Sequence, residues 1–307
     1  MFYDTFKEVC RSKGMKPTTV LRSIGVGTSQ SYRTDGCTPK SVTLYNMCLA
    51  LDVPVDRLIP VDEMTPEVLS LHKAFSGDCS LASKLQLVRC ESELNYDDLG
   101  AVAGVTGTTV RKWSCGQSSP RVRHVDLFCQ WLGIRLAVLL DGDVKLDYGD
   151  LYEAEDMESL EQSIRCVRAL SGESIQKFSE TIGMCLSTLH QLEENVRSAF
   201  AADLQLFSKQ TGVPVKDLCN GIEHNREFSS KVSKLSTGER VRYYRIRAGK
   251  TQTWLARQTH IQEARLNRIE RDPTCKNCTR EELFNISKAL EIHSTFLDNC
   301  AHPSVFL

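Results

Sequence analysis

The chain has 307 residues, of which 41% are hydrophobic and 25% charged, and its formal net charge is −1. This composition is ordinary for a globular protein, and no apolar run approaches the roughly 18 residues that span a bilayer. The charged N-terminal residues lack the apolar core of a secretory signal. The thirteen cysteines, an odd number at scattered apolar positions, predict reduced thiols in a cytoplasmic protein, most of them serving as small core residues.

One short pattern recurs four times along the chain. An apolar residue stands five positions before each of four anchors, Gly25, Gly104, Gly183 and His260, and the successive differences between the anchor numbers are 79, 79 and 77. A nearly fixed period of this kind indicates a repeated structural unit. We therefore predict an all-α chain of four tandem modules, here called repeats 1 to 4, at residues 1–60, 81–140, 157–220 and 237–307. They are joined by a linker with helical potential at 61–80, an acidic linker at 141–156 and a third linker at 221–236.

In repeat 1, Val20 is the apolar residue before the anchor, and the third helix (28–34) is a residue or two short before Gly36. The linker that follows contains Thr65 and Pro66, which are typical of an N-cap and a first helical position. This pair predicts a helix over residues 66–75.

Repeat 2 shows the pattern most fully. A first helix over 81–91 precedes Asn95, a plausible N-cap for a second helix that ends at Gly104 in the left-handed conformation. Thr106 is expected to cap the third helix. A short turn containing glycine between two helices is typical of a helix-turn-helix, and further helices are predicted over 124–132 and 134–140.

Repeats 3 and 4 follow the same plan. Repeat 3 has Phe178 before its anchor and ends its third helix at Asn195, where we expect a left-handed residue. Repeat 4 is predicted to form five helices: one over residues 239–248, a second that begins at 251–253, and three more over 262–271, 280–290 and 294–299. No alternating β-branched run predicts a strand.

Charge is distributed unevenly among these segments. Repeats 1, 2 and 4 carry net charges of +3, +2 and +4, whereas repeat 3 carries −2. The linkers at 61–80 and 141–156 carry −3 and −6. Because three of the four repeats are basic and much of the acid lies in the linkers, the overall charge of −1 does not exclude nucleic-acid binding.

Two stretches match one known family almost position for position. They are Leu99-Gly100, Gly104-Val105-Thr106, Thr109-Val110-Arg111-Lys112-Trp113, Gly116 and Ser119-Pro120, and also Leu255-Ala256, Ile261 and Leu266-Asn267-Arg268-Ile269-Glu270-Arg271. The modules thus resemble the phage lambda repressor/Cro-like (XRE-type) helix-turn-helix family, in four blocks that together make up most of the chain. The resemblance implies four tandem five-helix domains.

The resemblance also implies a structural ion pair between an arginine of helix one and a glutamate at the end of helix three. Arg168 with Glu193, and Arg245 with Glu270, stand at matching positions, and the residue numbers in each pair differ by 25. A buried charge needs a partner, so these pairs are expected to hold the fold. Repeat 2 has Arg89 but Ser114, and repeat 1 lacks the pair.

In this family the third helix enters the DNA major groove with its N-terminal residues. Repeat 4 adds Gln252, at a position where the family commonly binds phosphate. The DNA-binding residues that the resemblance implies are Thr28, Ser29, Gln30 and Arg33 in repeat 1, Gly107, Thr108, Thr109, Arg111 and Lys112 in repeat 2, and Gln252, Arg265, Asn267 and Arg268 in repeat 4. In repeat 3 the equivalents are Leu186, Ser187, His190 and Gln191, a set that favours packing against a protein.

The functional expectation is a sequence-specific DNA-binding transcriptional regulator, repressor-like, acting on an extended or repeated operator of double-stranded DNA. The alternative is a protein-interaction scaffold, antitoxin-like or antirepressor-like, with self-association or a protein partner through repeat 3. The Cys275–Cys278 pair lacks a second Cys-x-x-Cys at zinc-finger spacing, which leaves zinc and a redox role as weak alternatives to a plain loop. No catalytic or nucleotide-binding motif is present, so we expect no enzyme, no cofactor, no metal and no membrane partner.

Overall fold

The computed structural model describes residues 2–27, 38–142, 144–149, 151–152, 157–272 and 278–297. Within these ranges the protein is all-α: nineteen α-helices and short 3-10 turns, with one isolated bridge between Ile134 and Leu151 in place of any strand. The chain divides into two compact units, Met1–Glu153 and Ala154–Leu307, and each is described by itself.

Unit 1 contains the first two sequence repeats and the linker between them. Its helices are α1 Phe2–Ser12, α2 Pro17–Ser23, α3 Ser41–Leu51, α4 Pro66–Phe75, α5 Leu81–Ser92, α6 Tyr96–Ala103, α7 Gly107–Ser114, α8 Val122–Leu132 and α9 Leu136–Leu140.

The linker helix α4 forms where the sequence predicts it. Proline stands at its start, and the hydroxyl of Thr65 accepts a hydrogen bond from the backbone N–H of Val68, which satisfies one of the donors that a helix leaves free at its N-terminus. Helix α4 packs against α5 and α3. Val68 and Leu71 are buried in the same apolar cluster as Cys90 of α5, so one core extends from repeat 1 into the first helix of repeat 2.

Helices α6 and α7 are joined by a tight turn at Gly104, which has φ 66°. The other three anchors have the same left-handed backbone: φ is 71° at Gly25, 65° at Gly183 and 56° at His260. Glycine tolerates this conformation without steric cost. At His260 the chain adopts it with a side chain present, as the C-cap of its helix.

Unit 2 contains the last two sequence repeats. Its helices are α10 Met157–Ser171, α11 Ile175–Thr181, α12 Leu186–Glu194, α13 Ala201–Thr211, α14 Val215–Cys219, α15 Arg226–Ser233, α16 Thr237–Arg247, α17 Gln252–Thr259, α18 Glu263–Arg271 and α19 Arg280–Ala289.

The first helices of repeats 3 and 4, α10 and α16, pack against each other. A Cβ added to Gly249 would lie 3.7 Å from Cζ of Arg165, and one added to Gly172 would lie 4.0 Å from Nη1 of Arg242. Arg165 and Arg242 occupy equivalent positions in the two repeats, as do Gly172 and Gly249, because the numbers in both pairs differ by 77. Each repeat therefore presents equivalent residues to the other, as in the isologous interface of a two-fold dimer.

Several sequence predictions are corrected. The linker at 221–236 contains helix α15, capped by the side chain of Asn225. Asn195 is not left-handed, since its φ is −156°. The fifth elements of repeats 1 and 4 are single 3-10 turns, Val55–Arg57 and Ser294–Phe296, instead of α-helices.

The cysteines are less often core residues than expected. All ten that the structure describes are free thiols, and half of these are buried: Cys10, Cys48, Cys90, Cys129 and Cys166. Burial raises the pKa of the Cys48 and Cys166 thiols to about 12, which makes them poor nucleophiles. No helix in the described part of the chain is long and apolar enough to cross a membrane.

Candidate functional site

The third helix of repeat 2, α7, presents a polar face to solvent. Thr108, Arg111 and Lys112 are exposed, and Thr109 is half-buried. Val110 and Trp113 point into the core because they lie three residues apart on the opposite face of the helix. The helix has no acidic residue in its first turn. Thr106 stands at the N-cap without making a side-chain cap; its Oγ1 lies 2.9 Å from Oγ1 of Thr109.

Gly107 was predicted to contact DNA, and its burial contradicts this. A Cβ at Gly107 would lie 2.2 Å from Oδ1 of Asp97, and one at Gly100 would lie 2.6 Å from the carbonyl oxygen of Val105. Both distances are far below normal contact, so the two glycines allow α6 and α7 to approach closely. Gly107 is thus a packing residue with no surface for a base.

Arg111 is exposed but has an acidic neighbour. Its Nε lies 2.9 Å from Oε1 of Glu67 in the linker helix α4. The guanidinium of Arg111 is therefore already paired with a carboxylate. Lys112, the next residue, is exposed on the same helix.

The backbone N–H groups at the start of α6 are capped by side chains of the same segment. Asn95 accepts hydrogen bonds from the N–H groups of Asp97 and Asp98, and Asp98 in turn accepts one from the N–H of Asn95. The capping box satisfies these donors, and the two carboxylates repel phosphate. In repeat 2 the basic side chains of the two helices that meet at Gly104 all lie on α7.

The third helix of repeat 4, α18, is basic but partly engaged. Arg265 donates to both carboxylate oxygens of Glu282 in α19, at 2.9 and 3.0 Å. The hydrogen bond from Arg265 is the main cause that lowers the pKa of Glu282 to about 2. Arg268 is exposed and Asn267 half-buried, so these two remain available on this helix.

Gln252 lies at the first position of α17, as predicted. Its amide nitrogen donates to Oε2 of Glu270 at 2.7 Å. Arg245 donates to both oxygens of the same carboxylate, at 2.5 and 2.8 Å. Gln252 therefore belongs to the network around a buried ion pair, and in this arrangement its NH₂ group faces a carboxylate and not solvent.

Both ion pairs implied by the sequence lie at the expected positions. Besides Arg245 with Glu270, Arg168 donates to both oxygens of Glu193, at 2.5 and 2.9 Å. The bidentate geometry satisfies both partners, and the pairs join helix one to helix three in repeats 3 and 4. In repeat 2, where serine replaces the glutamate, Arg89 instead bonds to the hydroxyl of Ser41 in α3 and its guanidinium lies 4.7 Å from the centre of the Tyr96 ring.

The third helix of repeat 3, α12, offers a different surface. Leu186 is 38% exposed, Ser187 and His190 are exposed, and Gln191 donates to Oγ of Ser198 at 3.0 Å. An exposed leucine beside an acidic C-terminal end does not match the basic surface of α7.

Other predicted residues lie outside the described ranges: Thr28, Ser29, Gln30 and Arg33 of repeat 1, and Cys275 of the Cys-x-x-Cys pair. Among the residues that the structure does describe, no group of three His, Cys, Asp or Glu side chains is arranged to hold a metal ion.

Sequence reasoning missed the acidic partners Glu67 and Glu282. Each stands on a helix outside the helix-turn-helix pattern, and the two lie at different separations along the chain from their arginines, so no local spacing links them. Comparison with family models, with curated proteins and with solved structures found no match for this chain.

Proposed function

We propose that this protein binds double-stranded DNA as a sequence-specific transcriptional regulator, and that α7 enters the major groove. The observation that carries the proposal is the exposed surface of α7, where Thr108, Arg111 and Lys112 stand together without an acid on the helix. Arginine and lysine donate to guanine edges and to phosphates. Arg268 and Asn267 of α18 offer a second basic surface, on a helix that has Glu263 in its first turn.

We further propose that the four sequence repeats are four helix-turn-helix modules that act on an extended or repeated operator. The left-handed backbone shared by Gly25, Gly104, Gly183 and His260 supports a common turn before each third helix. Tethered modules raise one another's effective concentration on adjacent sites, so modest individual affinities suffice.

The test is selection of bound duplexes from a random DNA library with the purified full-length protein, followed by titration of the enriched duplex. We expect Arg111→Ala with Lys112→Ala to weaken binding by about tenfold or more, because each charged contact contributes on the order of 1 kcal/mol. The salt dependence should become shallower. Circular dichroism should remain native, since both side chains are exposed, and unchanged affinity in the folded double variant contradicts the proposal for α7.

The second candidate, a protein-interaction scaffold, is favoured by one observation: α12 exposes Leu186 where α7 exposes Thr108 and its basic neighbours. If the selection returns no enriched duplex and the protein self-associates in sedimentation experiments, the scaffold replaces the DNA-binding proposal.

A further inference from the structure

Unit 2 contains a cleft of about 590 Å³ between α10 and α12 on one side and α16 to α18 on the other. Its lining is mostly polar and charged. The basic side chains that line it are Arg165, Arg168, Arg242, Arg245, Lys250 and Arg271.

Most of these cations have partners. Arg168 and Arg245 are held by Glu193 and Glu270 in the bidentate pairs described above. Arg165 donates to the backbone carbonyl of Arg247 at 3.0 Å and to that of Glu193. The ammonium of Lys250 lies 4.8 Å from the centre of the Trp254 ring.

Arg242 differs from Arg165 although the two occupy equivalent positions. It is half-buried beside Gly172, and within the described residues it forms no hydrogen bond or ion pair that matches those of Arg165. Burial lowers the pKa of Arg242, and the nearby charges of Arg245, Arg168 and Arg271 lower it further, against the opposing effect of Glu270. Arg242 therefore lies among three other arginines, and Glu270, the carboxylate that acts on it, is already paired with Arg245.

Three further acids line the cleft, and each has a polar partner. Glu173 pairs with Lys177 at 3.5 Å and accepts a hydrogen bond from Thr181. Glu194 lies 3.9 Å from His190, and Glu263 accepts from Thr253 at 3.2 Å. Arg271 is exposed at the edge of the cleft and forms no ion pair with any of them in the described structure.

We propose that this cleft binds the phosphate group of a small molecule, with Arg242 and Arg271 as its ligands. The planar guanidinium matches phosphate oxygens in a bidentate manner. The volume lies within the range of roughly 300–1,000 Å³ typical of small-molecule sites, and the polar lining favours a hydrophilic ligand. The cleft also contains Asn267 of the proposed DNA surface on α18, but its two phosphate ligands, Arg242 and Arg271, are not among the residues of the DNA-binding proposal.

The experiment is isothermal titration of the full-length protein with inorganic phosphate and, separately, with AMP, at constant ionic strength. We expect saturable binding of at least one of them. Arg271→Gln should weaken it by about tenfold, because a hydrogen bond to a charged group is worth on the order of 1.5 kcal/mol or more. Arg242→Gln should weaken it at least as much. A preference for AMP would identify a phosphomonoester as the ligand class, and equal affinity would identify free phosphate.

Arg226→Gln is the matched control. Arg226 is an exposed arginine of the same unit outside the cleft, so the same change of charge there should leave affinity unaltered. Arg271→Gln removes an exposed side chain and keeps the test valid if Arg242→Gln fails to fold. The proposal is overturned if neither probe binds at millimolar concentration, or if Arg271→Gln binds as tightly as Arg226→Gln.

Discussion

Lys84 is buried in α5, and its ammonium is coordinated by backbone oxygens. It donates to the carbonyls of Val138 at 2.5 Å and Asp141 at 2.7 Å, at the end of α9. The carbonyl groups in the last turn of a helix have no N–H partner within that helix, and the ammonium of Lys84 supplies one. Burial lowers the pKa of Lys84 to about 8, so its charge carries a desolvation cost at neutral pH.

This lowered pKa gives a pH-dependent stability with a definite sign. Between pH 8 and 10.5 the unfolded chain keeps the lysine proton and the folded chain has lost it; stability contributed by this group therefore rises with pH across that window and is constant below it. We predict that the free energy of unfolding of wild type minus that of Lys84→Met increases by about 1 kcal/mol per pH unit. Urea unfolding at pH 7, 8, 9 and 10 measures it. The titration of thiols and tyrosines affects both proteins and cancels when the two free energies of unfolding are subtracted. A subtracted value that stays constant from pH 7 to pH 10 contradicts the prediction.

The close packing at Gly107 leads to a second prediction at the residue scale. We expect Gly107→Ala to destabilise unit 1 by about 1–3 kcal/mol, because the added methyl group overlaps Asp97 and forces α6 and α7 apart. Gly142→Ala is the control, since a Cβ there meets no atom within 4 Å. Thermal unfolding of both variants measures the effect, and equal midpoints would falsify the close-packing role.

At the scale of elements, the linker helix α4 contacts the exposed face of α7. Glu67 stands in the first turn of α4 and holds Arg111 through one ion pair. In the proposed DNA complex, a phosphate that binds Arg111 would have to displace this carboxylate. Glu67 would then compete with DNA for the same guanidinium.

We therefore expect Glu67→Gln to raise DNA affinity by about two- to fivefold, the range that corresponds to an exposed ion pair of up to about 1 kcal/mol. The measurement is a titration of the selected duplex at low salt. In an Arg111→Ala background the same substitution should have little effect. A Glu67→Gln effect of equal size in both backgrounds would show that Glu67 acts through its general charge and not through Arg111.

Short-range features of the sequence predicted several helix ends and contacts between helices. The Thr65-Pro66 pair located the start of α4, and Gly104 located the end of α6, because each of these features is set by a few neighbouring residues. The constant spacing of the ion pairs located Arg245 opposite Glu270. By contrast, nothing local links Glu67 to Arg111, and α15 has Phe228 as its single buried residue, too weak a periodicity to predict a helix. The cleft could not be predicted either, since it depends on how α10 meets α16.

At the scale of the whole molecule, the sequence repeats pair into two units. A module of about 60 residues buries little of its unfolded surface and is marginal alone. The apolar cluster of repeat 1 includes Cys90 and the partly buried Leu87, both from α5. Repeat 1 therefore completes its core with a helix that the repeat boundaries assign to repeat 2.

We predict that a fragment of residues 1–153 unfolds cooperatively, while a fragment of residues 1–77 has low helicity and no cooperative transition. The shorter fragment lacks α5 and exposes Val68 and Leu71. Circular dichroism during thermal unfolding compares the two. A cooperative transition in the shorter fragment at the temperature of the longer one would show that repeat 1 is an independent folding unit.

The equivalent positions of Arg165 and Arg242 in repeats 3 and 4 have a consequence for how this chain can evolve. In a dimer of identical subunits, every substitution appears on both sides of the two-fold axis. Here the two sides are encoded separately, so a mutation alters one side only. Arg165 can keep a structural role while Arg242 is released for another purpose, a division of labour that an identical pair of subunits cannot adopt. Two equivalent positions encoded in one chain can therefore acquire different residues and different roles.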